Sequence, residues 1–197
     1  MKKLLFCLSV CFVLSVQHTF AQEQSDPANY TISAAVSPFG GALNFAVHLN
    51  DKSAVFFGLG AYPEGNALFL TPIDGFGDFE MISSASWAGV FVQHRPFEKA
   101  DWLRLNAGLA AGSIENTITD DNGEVYTANY KENPVMYAGL GIGQRNKKGL
   151  VLGFDIGALY GAGPVITGPN ADKVQTLSET YFTNVLPNIQ FSIGYGF

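Results

Sequence analysis

Beyond residue 21 the chain holds two imidazoles, His48 and His94. Acid–base or nucleophilic chemistry that relies on histidine near neutral pH must therefore run through one of them. Neither stands in a His-x-Ser arrangement. Cys7 and Cys11 both fall within the first 21 residues, so the remainder has no thiolate nucleophile, no disulfide and no Cys-ligated metal. Asp120-Asp121-Asn122-Gly123-Glu124 is dense in oxygen ligands but lacks the alternating ligands and distal Glu of an EF-hand loop. Asn122-Gly123 reads better as a two-residue hairpin turn with positive φ angles, and weak divalent-cation binding at this acidic tip is the lesser reading. Gly139-Leu140-Gly141-Ile142-Gly143 has the wrong spacing for a phosphate-binding loop, and no helix follows it. Two charges are left that interrupt otherwise uncharged segments, Arg104 and Asp155. No metal site and no cofactor is expected.

The segments that carry these residues have a period of two. Ile189, Phe191, Ile193, Tyr195 and Phe197 share one face, and Asn188, Gln190, Ser192, Gly194 and Gly196 the other. The same alternation recurs at Leu150–Tyr160, Leu103–Ala111, Leu43–Leu49, Val55–Ala61 and Met136–Ile142, and more weakly at Tyr30–Val36 and Ala88–His94. Successive side chains of a strand point to opposite faces, so each segment offers one face fit for lipid and one for a polar or crowded interior. Eight strands are expected, near 29–37, 41–49, 53–62, 83–95, 102–115, 134–145, 149–161 and 187–197. The connections at 50–52, 95–101 and 145–148 are short, and those at 63–82, 116–133 and 162–186 are long. This alternation is the plan of a transmembrane barrel, and the fold class read from it is all-β: an eight-stranded antiparallel transmembrane up-and-down β-barrel. Arg104 and Asp155 then have inward parity. They read either as a charged constriction in a pore or, the favoured reading, as an ion pair in a bore that an eight-stranded barrel fills with its own side chains. Inward glycines leave room for Phe56, Phe91 or Tyr137.

Residues 1–21 read as a secretory leader: Lys2 and Lys3, the apolar run Leu4–Val16, and a small-x-small ending at Thr19-Phe20-Ala21. The run is too short for a membrane anchor, which needs about 20 apolar residues. Phe6 and Val10 stand where a lipoprotein needs a small residue before its cysteine. Residues 22–197 then form one domain, the barrel. The formal net charge of −6 falls to −8 once Lys2 and Lys3 are removed with the leader, which excludes nucleic acid as an expected partner. The long connections are acidic, with Lys131 and Lys173 as their only bases, whereas Lys52, Arg95, Lys99, Arg145, Lys147 and Lys148 crowd the short turns. The expected location is the outer membrane, with long loops outside the cell, and short turns and both termini in the periplasm.

The run Leu186-Pro187-Asn188-Ile189-Gln190-Phe191-Ser192-Ile193-Gly194-Tyr195-Gly196-Phe197 resembles the terminal strand of small eight-stranded outer-membrane barrels of the OmpA/OmpX/OmpW type. The resemblance implies that Tyr195 and Phe197 form the signal read by the barrel-assembly machinery. The common Tyr-Arg-Phe ending stands here as Tyr195-Gly196-Phe197. Implied partners are outer-membrane lipid, lipopolysaccharide and the assembly machinery, with an extracellular or membrane protein as a further candidate. Some barrels of this size act on lipid A, but the strand layout puts His48 and His94 at the periplasmic end, away from the outer leaflet. The functional expectation is therefore a non-enzymatic barrel with a structural or surface-interaction role through its long loops. The alternative is a narrow channel for small or apolar solutes. Two local elements are also expected: a β-hairpin over 115–131 projecting past the membrane, its return marked by Pro134, and a short helix after Asn170.

Overall fold

The computed structural model describes residues 26–67, 72–131, 134–143 and 147–197. The expected leader over 1–21, with Cys7 and Cys11, lies outside the described residues, as does Arg145. Ten strands follow in chain order: β1 (Tyr30–Ser37), β2 (Gly40–His48), β3 (Ser53–Asn66), β4 (Glu80–His94), β5 (Leu103–Thr119), β6 (Val125–Tyr130), β7 (Val135–Gly143), β8 (Gly149–Tyr160), β9 (Val165–Thr167) and β10 (Val185–Gly196). A short helix, α1 (Ala171–Thr176), and a π-helical turn over Leu177–Tyr181 precede β10.

Eight of these strands close a cylinder. β1 to β5 pair in sequence, β5 pairs with β7, β7 with β8, β8 with β10, and β10 returns to β1, every pairing antiparallel. Closure leaves the wall without free edges. The alternation decides which face turns inward. Along β10, Ile189, Phe191, Ile193 and Tyr195 are exposed on the outside, while Asn188, Gln190, Ser192 and Gly194 face the bore. Large apolar side chains stand exposed on the outside of all eight wall strands, Leu43 and Leu59 at 66% each. A continuous apolar belt of this extent is not a surface for water; it is the face a barrel turns to lipid. No helix among the described residues is long and apolar enough to cross a membrane.

Several strands run past their expected ends. β3 continues to Asn66 through a register shift between Tyr62 and Gly65, and Pro63, which has no N–H for the ladder, sits in that irregularity. β4 begins at Glu80 and β5 runs 17 residues to Thr119. The lower part of β5 pairs with β7, from Leu103 to Ala110, and its upper part with β6, from Ile114 to Thr119. β6 is thus the returning arm of the expected hairpin, and β7 starts just after Pro134.

The turn of that hairpin differs from expectation. Gly123 N donates to Asp120 O at 3.0 Å and Asp120 N to Glu124 O at 3.1 Å, which encloses three residues rather than two. Only Gly123 has positive φ, at +78°. The Asp120 carboxylate decides the geometry: its Oδ1 accepts from Asn122 N at 3.0 Å and Glu124 N at 2.8 Å, bonds that hold the chain in a type I turn followed by a bulge at glycine. The hairpin's far edge is also not open. β9 pairs with it over Thr127–Asn129.

Candidate functional site: the filled bore and the loop cap

The bore is organised in levels by strand register. At the level nearer the short turns, Arg104 on β5 is paired with Gly141 on β7, and Gly141 with Asp155 on β8. Gly141 has no side chain, so the guanidinium reaches across it. A Cβ there would stand on both Asp155 Oδ1 and Arg104 Nε. Arg104 donates Nε to Asp155 Oδ1 at 3.1 Å and Nη2 to Oδ2 at 2.6 Å, a bidentate fork. Asn106 adds its Nδ2 to Oδ1 at 2.5 Å. All three residues are buried. Below them Arg95 Nη1 donates to Asp101 O at 2.6 Å.

Above the ion pair the bore is aromatic. Phe91 stacks on Phe56 with centroids 5.1 Å apart and meets Trp87 and Tyr137 edge-on at 6.3 and 5.8 Å. A cavity of about 110 Å³ runs beside these rings, lined by Asn106, Asp155 and Asn188 at the level of the ion pair and by Ile114 and Tyr130 toward the loop end.

The three long connections do not form separate loops. Ile73, Phe76, Met81, Ile118, Tyr126, Ala128, Leu177 and Phe182 come together from all three into a second core over the loop end of the barrel. Tyr126, Phe76, Ile118 and Leu177 are fully buried there. Asn170 caps α1, its Oδ1 accepting from Asp172 N and Lys173 N at 3.0 and 3.3 Å. That places Lys173 over the rings of Phe76 and Tyr126, 5.2 and 5.8 Å from their centroids. Its ammonium bonds Asp120 Oδ2 and lies 3.5 Å from Glu124 Oε2. Tyr126 donates its hydroxyl to Glu124 at 2.6 Å. The cation of the acidic tip is therefore a lysine of this chain. Among the described residues no three His, Cys, Asp or Glu side chains converge on a point.

The latch carries a pH dependence. The hydrogen bond from Lys173 holds the Asp120 carboxyl below its ordinary range, and the same bond raises the Lys173 ammonium. Burial, then the bond to Glu124, pushes the Tyr126 phenol up to about 12. A lowered carboxylate contributes stability above its unfolded pKa and loses it as pH falls through the folded value; raised Lys and Tyr groups contribute below their unfolded values and lose it as pH rises through the folded ones. Protease resistance of the cap is accordingly expected to be level across neutral pH, to fall in acid below the usual carboxylate range, and to fall in alkali as pH climbs from about 10 toward about 12. Asp120→Asn should remove the acid limb; an unchanged acid limb would show that the latch does not titrate through Asp120.

The remaining sequence candidates lie elsewhere. His48 Nε2 and Thr31 Oγ1 are 2.8 Å apart inside the wall near the turn end. His94 Nδ1 and Ser53 Oγ are 2.9 Å apart on the outside, a hydroxyl–imidazole pair that no local motif announces because it joins two strands. Tyr195 points outward from β10. Phe197 seals the seam between first and last strands: its carbonyl accepts from Asn29 N and Tyr30 N at 2.9 and 3.1 Å, its N–H donates to Tyr30 O at 3.0 Å, and its ring lies 5.9 Å from that of Tyr30.

No protein-family model matches the chain. No curated protein matches it. Solved structures do. CarO of Acinetobacter baumannii superposes with a TM-score of 0.65 at 14% identity, covering 86% of this chain and 98% of that one. CarO2 of the same organism gives 0.62 at 14%, covering 89% and 100%. A major outer membrane protein from Thermus thermophilus gives 0.52 at 13%, covering 87% and 100%. At such identities the likeness is one of fold, and with the closed cylinder and its apolar belt it leads to one conclusion: this chain folds as a small eight-stranded β-barrel of the outer-membrane type.

Proposed function

We propose that the chain is a non-enzymatic outer-membrane barrel that holds a folded cap outside the cell as a surface for contact with an extracellular or membrane protein partner. The observation that carries this reading is the second core: Phe76, Ile118, Tyr126 and Leu177 are fully buried in a unit built wholly from the long connections. Loops that only joined strands would not need one. β5 is 17 residues long, against about 9–11 for crossing the hydrocarbon, so its upper third stands in solvent. In this reading the cap end faces the medium, the short turns face the periplasm, and the belt meets lipid and lipopolysaccharide. Tyr195 and Phe197 serve as the strand signal taken up by the assembly machinery. The bore is occupied by the Arg104–Asp155 pair and the ring stack, which argues against an open channel.

Planar-bilayer recording on the purified protein tests the functional class. The expected result is no reproducible conductance. A stable conductance abolished by substituting Arg104 or Asp155 would make the narrow channel the correct reading. Fractionation of expressing cells tests the location: a heat-modifiable band is expected in the outer membrane, and Phe197→Ala should lower its amount. A native protein recovered from the periplasm would end the proposal.

A further inference from the structure

The turn at the far end of the hairpin holds the chain's single Asn-Gly step, Asn122-Gly123. That step carries chemistry of its own. The backbone nitrogen of the residue after an asparagine can attack the side-chain amide carbon, and glycine hinders the approach least because it has no Cβ. Both residues are exposed, and nothing lies within 4 Å of where a Cβ on Gly123 would stand. The amide is held by one contact, Nδ2 donating to Asp121 Oδ1 at 2.9 Å. The attacking nitrogen is held by one bond, to Asp120 O at 3.0 Å. Releasing a single exposed hydrogen bond slows the attack about fivefold and does not prevent it.

The same turn sets the cap latch. Asp120 Oδ1 accepts from Asn122 N at 3.0 Å and Glu124 N at 2.8 Å, and its other oxygen meets the Lys173 ammonium. Glu124 lies 3.5 Å from that ammonium and takes the Tyr126 hydroxyl. Both anions are therefore placed by the length of backbone between them, which is Asp121-Asn122-Gly123. We propose that Asn122 is a modification site, at which the chain converts its own amide to isoaspartate and so releases the latch. The Gly123 nitrogen loses its proton and bonds to Asn122 Cγ. The Cγ–Nδ2 bond breaks and the nitrogen leaves with that proton as ammonia, giving a cyclic imide. Water adds to the imide and opens it chiefly at the backbone carbonyl. No oxidant, reductant or enzyme is called for. In the product the main chain runs through the former side chain and is one carbon longer between residues 122 and 123. Glu124 N then no longer reaches Asp120 Oδ1, Glu124 moves off Lys173, and a new carboxylate joins Asp121 at the tip. Unlike the titration of Asp120, the change is one-way. It depends on the turn and the latch alone, and stands whether or not the cap meets a partner.

Ageing the purified protein in detergent micelles, in warm and mildly alkaline buffer, tests the assignment. Peptide mass mapping is expected to show conversion of the Asn122 amide, with isoaspartate at that position recognised by an isoaspartyl methyltransferase. Converted molecules, separated by ion exchange, should be cut by protease within the three long connections at least about tenfold faster, the equivalent of one charge-assisted hydrogen bond lost, while the gel band stays heat-modifiable. Asn122→Gln should keep its protease resistance through the same ageing. Asn122→Asp, read fresh, adds the charge without the extra carbon and should resist like the parent. The proposal is overturned if the Asn122 amide stays intact in the folded protein over a time that converts a denatured sample, or if converted and unconverted molecules are cut at the same rate. It is overturned equally if aged Asn122→Gln opens as fast as the parent, or if fresh Asn122→Asp is already as open as the converted parent.

Discussion

Replacing Asp155 with leucine should lower the unfolding free energy of the barrel by about 3–5 kcal/mol, the usual cost of leaving one member of a buried pair uncompensated. The guanidinium of Arg104 would keep its place in a bore where both partners' side chains are under 10% exposed, with no carboxylate to meet it. Asn106 would lose its acceptor at the same time. The double variant Arg104→Met/Asp155→Leu should recover most of the loss, since an apolar replacement of the whole pair leaves no orphaned charge. Urea unfolding in lipid vesicles, followed by tryptophan fluorescence, gives both numbers. A loss under about 1 kcal/mol for the single variant would mean that the pair behaves as a solvated surface bridge.

Tyr126→Ala should open the cap and leave the barrel standing. The ring is fully buried, packs edge-on against Phe76 at 5.1 Å and carries the hydroxyl that binds Glu124. Truncating a buried aromatic costs about 3–5 kcal/mol, and here the cost falls on a small unit tied together by one core and one lysine latch. The expected readout is rapid amide exchange across 116–131 and protease cleavage within the three connections, while the wall strands stay protected and the gel band stays heat-modifiable. Loss of wall protection together with the cap would show that the two cores fold as one cooperative unit.

The wall was legible in the sequence because its physics is local. A strand that separates lipid from a crowded bore must alternate, and Ile189, Phe191, Ile193 and Tyr195 declare their face without reference to any neighbour. The inward parity of Arg104 and Asp155 follows from the same rule, as does the N-capping of α1 by Asn170 from its own local chemistry. The strand ends were less legible. Past the hydrocarbon the outer face of β3, β4 and β5 no longer has to be apolar, so the pattern fades while the hydrogen-bonded ladder continues.

The sequence by itself determined the class of fold, the alternation of short and long connections, and the faces of the strands, since each depends on a repeat of two residues or on the composition of a turn. Only the tertiary structure decided which inward residues stand level with one another. Register put Gly141 between Arg104 and Asp155, and Gly139 and Gly157 between Asn106 and Asn188, and nothing along the chain encodes that spacing. It also decided that Phe76, Tyr126 and Leu177, some 50 residues apart in succession, share one core. Apolar residues in long loops carry no period that shows what will cover them; their burial depends on three connections meeting in space, and the closed cylinder below is what brings them together.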